Sequence, residues 1–205
     1  MVEVNDGTYG RRWSSVTLRE DDVFTSDLHL GDESMLRRRY ERDLGRMHSA
    51  MARSWDRVVG DEQRVFVLGD VFTRGKETAF AWLKDRPGRK ILVRGNWDNT
   101  DDSWLLHEGG PFDNVIDIIQ VALTDGTLGW MSHYPYRRAG EESKPRLDEP
   151  DFRMPLIHGH THSPKKLSIA AKGSLQVHVG WEAWRTPVTL ERIGDYVLDW
   201  ETGGN

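Results

Sequence analysis

The chain has 205 residues, 30% charged and 37% hydrophobic, with a formal net charge of −5. That size and balance predict one soluble domain spanning residues 1–205, and the negative charge argues against a sequence-independent grip on duplex nucleic acid, which needs a basic face. There is no cysteine, which excludes disulfides and thiolate metal sites. The stretch from Met1 to Ser15 has no apolar signal core, and no apolar run approaches the roughly 20 residues of a membrane span. A cytoplasmic location without a membrane partner is therefore expected.

Val16-Thr17-Leu18 reads as a short leading strand and Val23-Phe24-Thr25 as a stronger one. From Glu33 to Val58, Leu36, Tyr40, Leu44, Met47, Met51, Trp55 and Val58 recur at helical spacing. That predicts one amphipathic helix, with Arg37, Arg38 and Arg39 on its solvated face and phosphate handling as their alternative role. Val65–Leu68 reads as a strand, Lys76–Lys84 as a helix closed by Arg86-Pro87-Gly88, and Lys90–Val93 as a strand. This alternation implies a largely parallel sheet with crossover helices. Val115–Leu123 and Leu128–Met131 flank the hairpin signal Thr124-Asp125-Gly126-Thr127. Leu156-Ile157, Lys166–Ala170 and Leu175–Val179 follow as strands, so the second half suggests an antiparallel or mixed sheet, and Thr189–Trp200 reads as a closing helix. Tyr134–Pro155 is a long irregular stretch, equally readable as a substrate loop or a surface excursion. Trp181 and Trp184, where exposed, would mark a contact.

Residues able to hold a metal stand at the ends of these apolar runs: Asp27 and His29, Asp70, Asn96, His133, then His160 and His162. Strands ending in carboxylate, amide or imidazole groups deliver them to one sheet edge. An oxygen and nitrogen set of this size, without thiolates, suits two divalent cations. His160 and His162, two apart on an extended backbone, would share a side. Taken alone, each has a duller reading: Asp70 after a glycine is a turn residue and His133 a satisfied polar group. His158 reads as a packed strand residue, His48 and His107 as surface or packing residues, and the role of His178 is open.

The series Asp27-Leu28-His29, Gly69-Asp70, Gly95-Asn96, His133 and Gly159-His160-Thr161-His162 resembles that of the calcineurin-like metallophosphoesterases, from about Val23 to about Ile193. Val179-Gly180-Trp181-Glu182, followed by Thr186-Pro187-Val188, is similar to the small bacterial and phage branch. The resemblance implies an α/β fold: a β-sandwich of two mixed sheets flanked by helices, in four layers α/β/β/α. It also implies that Asp27, His29 and His162 hold one metal, that Asn96, His133 and His160 hold a second, and that Asp70 bridges them. Manganese or iron is the implied cofactor, with zinc, nickel or magnesium as alternatives, and a hydroxide between the metals is the implied nucleophile.

One position departs from the pattern. Gly95-Asn96-Trp97-Asp98 stands where the family has Gly-Asn-His followed by an acid. Trp97 therefore replaces the histidine credited with protonating the leaving group, and its indole N–H is no usable acid. Loss of general acid catalysis costs least with a good leaving group, which points to aryl phosphodiesters and 2',3'-cyclic nucleotides. Trp97 either stacks on a base or packs the pocket wall. Asp98 normally orients the histidine that is missing here, which leaves its role open, and Arg137 and Arg138 read equally as a phosphate clamp or as loop surface. A phosphomonoesterase, a nuclease for short single strands, and a non-catalytic scaffold are the alternatives.

Overall fold

The structure is a computed structural model and describes residues 13–73, 75–98, 102–106, 109–123, 125–137 and 146–203. Arg138, His107, most of the stretch before Ser15, Thr124 and the middle of the Tyr134–Pro155 segment lie outside the described residues.

Two mixed sheets face each other. The first is built from β2 (Val23–Thr25), β3 (Arg64–Val67), β4 (Arg89–Val93) and β5 (Asn114–Ile116), all parallel, with β11 (Val188–Thr189) antiparallel to β2 at its edge. The second runs in the order β1 (Trp13–Thr17), β6 (Ile118–Ala122), β7 (Leu128–Ser132), β8 (Leu156–His158), β10 (Leu175–His178) and β9 (Leu167–Ile169). Within it, β6–β7 and β10–β9 pair antiparallel and the remaining pairs are parallel.

Strand alternation assigns the two faces of the first sheet. Val23, Val65, Val67, Leu92 and Val115 point outward, against Met47, Met51, Trp55, Phe80 and Leu83 of the helices. Those helices are α1 (Ser34–Arg39), α2 (Leu44–Asp56), α3 (Lys76–Lys84) and α4 (Asp102–Leu105). Phe24, Phe66, Val93 and Ile116 point inward and meet Ile119, Val121, Met131, Ile157 and Val177 of the second sheet. After the short α5 (Trp181–Trp184), α6 (Leu190–Glu201) closes this inter-sheet core with Leu190, Ile193 and Val197. Thr189 caps α6 by accepting from the Arg192 N–H at 3.2 Å. Among the described residues, no helix is long and apolar enough to cross a membrane.

Four expectations change. The helix from Glu33 to Val58 is two helices. Tyr40 turns left-handed at φ 58° and ends α1, and the Asp43 side chain caps α2 by accepting from the Arg46 N–H at 2.7 Å. The break turns Arg39 inward, so it is buried rather than solvated. The run from Val115 to Leu123 is not one strand: it breaks at Asp117, with β5 in one sheet and β6 in the other. Trp181 and Trp184 are both buried, so they mark no contact surface.

Candidate metal centre

The strand ends of both sheets converge on one site, rather than on the edge of a single sheet. β2 leads to Asp27 and His29, β3 to Asp70 and β4 to Asn96; β7 leads to His133 and β8 to His160 and His162. Close approach of these ends depends on the motif glycines. A Cβ on Gly69 would lie 2.5 Å from the Gly95 nitrogen, and one on Gly159 would collide with Ser26 Oγ.

Five of the seven candidate ligands hold left-handed backbone: Asp27 (φ 57°), His29 (46°), Asp70 (54°), His160 (70°) and His162 (49°). Each such non-glycine residue costs about 1–3 kcal/mol, and such strain gathers at functional sites. It also corrects the expectation of an extended backbone at His160 and His162. β8 ends at His158, and the two rings reach different parts of the centre because the chain curls between them.

The donor atoms form two groups. One ligand atom from each of Asp27, His29, Asp70 and His162 lies within 4.8 Å of the others, and the same holds for Asp70, His133 and His160. Asp70 belongs to both. Asn96 Oδ1 joins the second group, 2.9 Å from His160 Nδ1 and 3.1 Å from His133 Nε2. His29 Nε2 and His162 Nε2 stand 3.2 Å apart, and His133 Nε2 and His160 Nδ1 3.1 Å apart.

The outer nitrogens of His133, His29 and His162 each face a polar group, which turns the inner ones toward the centre. His133 Nδ1 donates to the Leu68 carbonyl at 2.7 Å, His29 Nδ1 meets Thr73 Oγ1 at 2.9 Å, and His162 Nδ1 lies 3.3 Å from Glu182 Oε2. Converging, outwardly anchored imidazoles around a shared carboxylate fit divalent cations. Without a cation the arrangement is electrostatically uneven. Burial holds His29 and His160 down to about 4. His133 is driven the other way: burial opposes its charge, yet hydrogen bonding to Asp70 and the negative charges of Asp27 and Asp70 push it up to about 9. A cation bound by His133 must displace that proton.

Asp98, left open by the sequence, has a definite place. Its buried carboxylate accepts from the backbone N–H groups of Asp70 at 2.8 Å, Gly95 at 2.9 Å and Val71 at 3.0 Å. It therefore ties the β3 and β4 ends together. Burial and the neighbouring Asp70 charge push its pKa up to about 6 despite those donors. Trp97 donates its backbone N–H to Asp70 Oδ1 at 3.0 Å, while its side chain is 51% exposed. Arg137 pairs with Asp148 at 3.0 Å on the loop surface.

Glu182, Thr73 and Tyr134 carry no sequence assignment, and Arg39 is expected on a solvated helix face. Arg39 Nε donates to Glu182 Oε1 at 2.9 Å, and its other nitrogens donate to the Leu28 carbonyl at 2.8 Å and to the Asp27 carbonyl. The Tyr134 ring stands edge-on to His133 and His160, with centroids 5.0 and 5.3 Å away. Glu182 sits in the stretch after Val179-Gly180, its only sequence signal. His158 is buried in β8, as expected, and its ring lies 5.3 Å from that of His178. His48 is half-buried and accepts from the Gly31 N–H at 3.1 Å.

A two-sheet α/β fold with histidine and aspartate groups sharing one carboxylate defines a metallophosphoesterase-type site. The calcineurin-like phosphoesterase family model matches residues 23–160, and the chain belongs to that family. It is similar to the gene 66 protein of Mycobacterium phage L5, 36% identical over 195 residues, covering 85% of this chain and 92% of that protein. It is also similar to the gene 66 protein of Mycobacterium phage D29, 34% identical over 200 residues, covering 88% and 97%. A crystal structure of a protein of unknown function from Aquifex aeolicus shares the fold at a TM-score of 0.63 and 22% identity, covering 89% of this chain and all of that one.

Proposed function

We propose that this chain is a metal-dependent phosphodiesterase acting on esters with good leaving groups, namely aryl phosphodiesters and 2',3'-cyclic nucleotides. The observation that carries the reading is the convergence of seven side chains into two groups that share Asp70.

Asp27, His29 and His162 would hold one divalent cation and Asn96, His133 and His160 the other, with Asp70 common to both. Such cations supply positive charge to phosphoryl oxygens and bring the pKa of water from about 15.7 to about 7. The chain's own part is positioning. Asp98 fixes the backbone of Asp70, and Leu68, Thr73 and Glu182 orient three imidazoles from outside.

The substrate preference rests on Trp97. An indole N–H can donate a hydrogen bond to a departing oxygen but cannot surrender a proton to it. General acid catalysis is typically worth about 10²–10⁴-fold, so its absence penalises poor leaving groups most. A strained 2',3'-cyclic ring or a phenolate departs with little help.

The test compares kcat/KM of the manganese-loaded protein on 2',3'-cAMP, 3',5'-cAMP and bis(p-nitrophenyl) phosphate. The expected order places the aryl diester and the 2',3' isomer well ahead. A preference for 3',5'-cAMP rejects the leaving-group argument, and release of phosphate from monoesters alone reassigns the protein as a monoesterase.

A further inference from the structure

Beside His160 lies a cavity of about 580 Å³, within the roughly 300–1,000 Å³ range of small-molecule sites. His160 and His178 line it, together with the hydroxyl residues Ser163 and Ser168 and the cationic residues Arg146 and Lys165. No carboxylate lines it among the described residues. The adjoining candidate metal centre, by contrast, holds Asp27 and Asp70. Arg146 shares the cavity lining with His158 and His160. His178 is buried in the wall, with its Nε2 3.9 Å from Asp27 Oδ2 of the candidate metal centre. A space lined by cationic and hydroxyl side chains beside the candidate metal centre points to a polar anionic occupant.

We propose that this cavity receives a second phosphoryl group of the substrate, with Arg146 and Lys165 as its specificity residues. The proposal rests on the phosphodiesterase reading and narrows it to activated phosphodiesters that carry a further phosphate, as a 5'-phosphorylated 2',3'-cyclic nucleotide does. His160 then stands between the two phosphoryl positions, serving the cation centre on one side and lining the cavity on the other.

Calorimetric titration of the manganese-loaded protein with adenosine 3',5'-bisphosphate and adenosine 3'-monophosphate tests this without turnover. The bisphosphate is expected to bind about tenfold tighter or more, as a charge-assisted contact to a second phosphate predicts. Arg146→Gln combined with Lys165→Gln should reduce the bisphosphate to the affinity of the monophosphate and leave the latter within about twofold. Lys165 is exposed, so Lys165→Gln alone provides a variant that folds and should remove part of the difference. Equal affinities in the unaltered protein, or variants that weaken both ligands alike, overturn the proposal. Failure of the phosphodiesterase reading has a separate signature: the same loaded protein would leave bis(p-nitrophenyl) phosphate intact.

Discussion

Arg39 and Glu182, 143 positions apart, form a buried pair with 2.9 Å between Nε and Oε1. The pair links the helical layer to the candidate metal centre, because Glu182 faces His162 Nδ1 and Arg39 holds the carbonyls of Asp27 and Leu28. Burial alone would raise the Glu182 pKa, yet His162 and Arg39 outweigh it and bring it down to about 2. Glu182 thus stays charged and aimed at the outer nitrogen of His162. Glu182→Gln should weaken divalent-cation affinity by about 10–100-fold, the usual cost of losing an outer partner of a metal-bound histidine. Arg39→Met strands a buried carboxylate and should cost about 3–5 kcal/mol in denaturant unfolding. The double variant should cost less than the sum of the two singles, since neither charge then remains without its partner.

Asp98 gives a second prediction. Its Oδ2 accepts from Asp70 and Gly95 and its Oδ1 from Val71. Asn at this position offers one oxygen and turns an NH₂ group against a backbone N–H. Asp98→Asn should lose about 1–3 kcal/mol in chemical denaturation, the cost of one unsatisfied buried donor. Cation content by elemental analysis should fall as well, because the backbone that loses its tether carries Asp70.

The candidate ligands were legible because each closes an apolar run, and a strand delivers its last residue to a sheet edge wherever the strand lies. The supporting groups were not. Arg39 sits at a helical spacing that reads as continuous through Tyr40, and no glycine marks the left-handed turn that redirects it. Glu182 reaches His162 only because α5 folds back beside β2, a contact no local pattern encodes. The crossing from one sheet to the other at Asp117 is hidden in the same way. Val115-Ile116 and Ile118-Ile119 read as one apolar run, while the half-exposed Asp117 lies 3.7 Å from Arg94 at the crossing.

Tyr40 offers a test of that helix break away from the site. It is 91% exposed at φ 58°, and the Glu41 N–H reaches back to the Leu36 carbonyl at 2.9 Å, a C-cap geometry that favours glycine. Tyr40→Gly should raise unfolding stability by about 0.5–1 kcal/mol, because the left-handed penalty disappears while no buried contact is lost. A loss of stability would mean that the Tyr40 ring contributes packing its exposure does not suggest.

Cation binding should be visible without any substrate. Asp27 and Asp70 belong to one donor group with His29, whose imidazole burial keeps uncharged, so a bound cation relieves carboxylate repulsion in the folded state alone. Manganese at about 100 times its Kd should add about 2.7 kcal/mol of stability, and EDTA should reverse it. Asp70→Ala should abolish most of the manganese-dependent rise in Tm, because that carboxylate belongs to both donor groups.

Trp97→His completes the set. The Trp97 backbone N–H, not its indole, holds Asp70, and the side chain is half exposed, so the substitution should leave fold and cation affinity unchanged. An imidazole there restores a proton donor beside the centre. Turnover of 3',5'-cAMP should rise by about tenfold or more, while bis(p-nitrophenyl) phosphate should change by less than about twofold, since acid catalysis aids only poor leaving groups. If 3',5'-cAMP slows while bis(p-nitrophenyl) phosphate does not, the indole stacks on the base of a nucleotide rather than standing in for a missing acid.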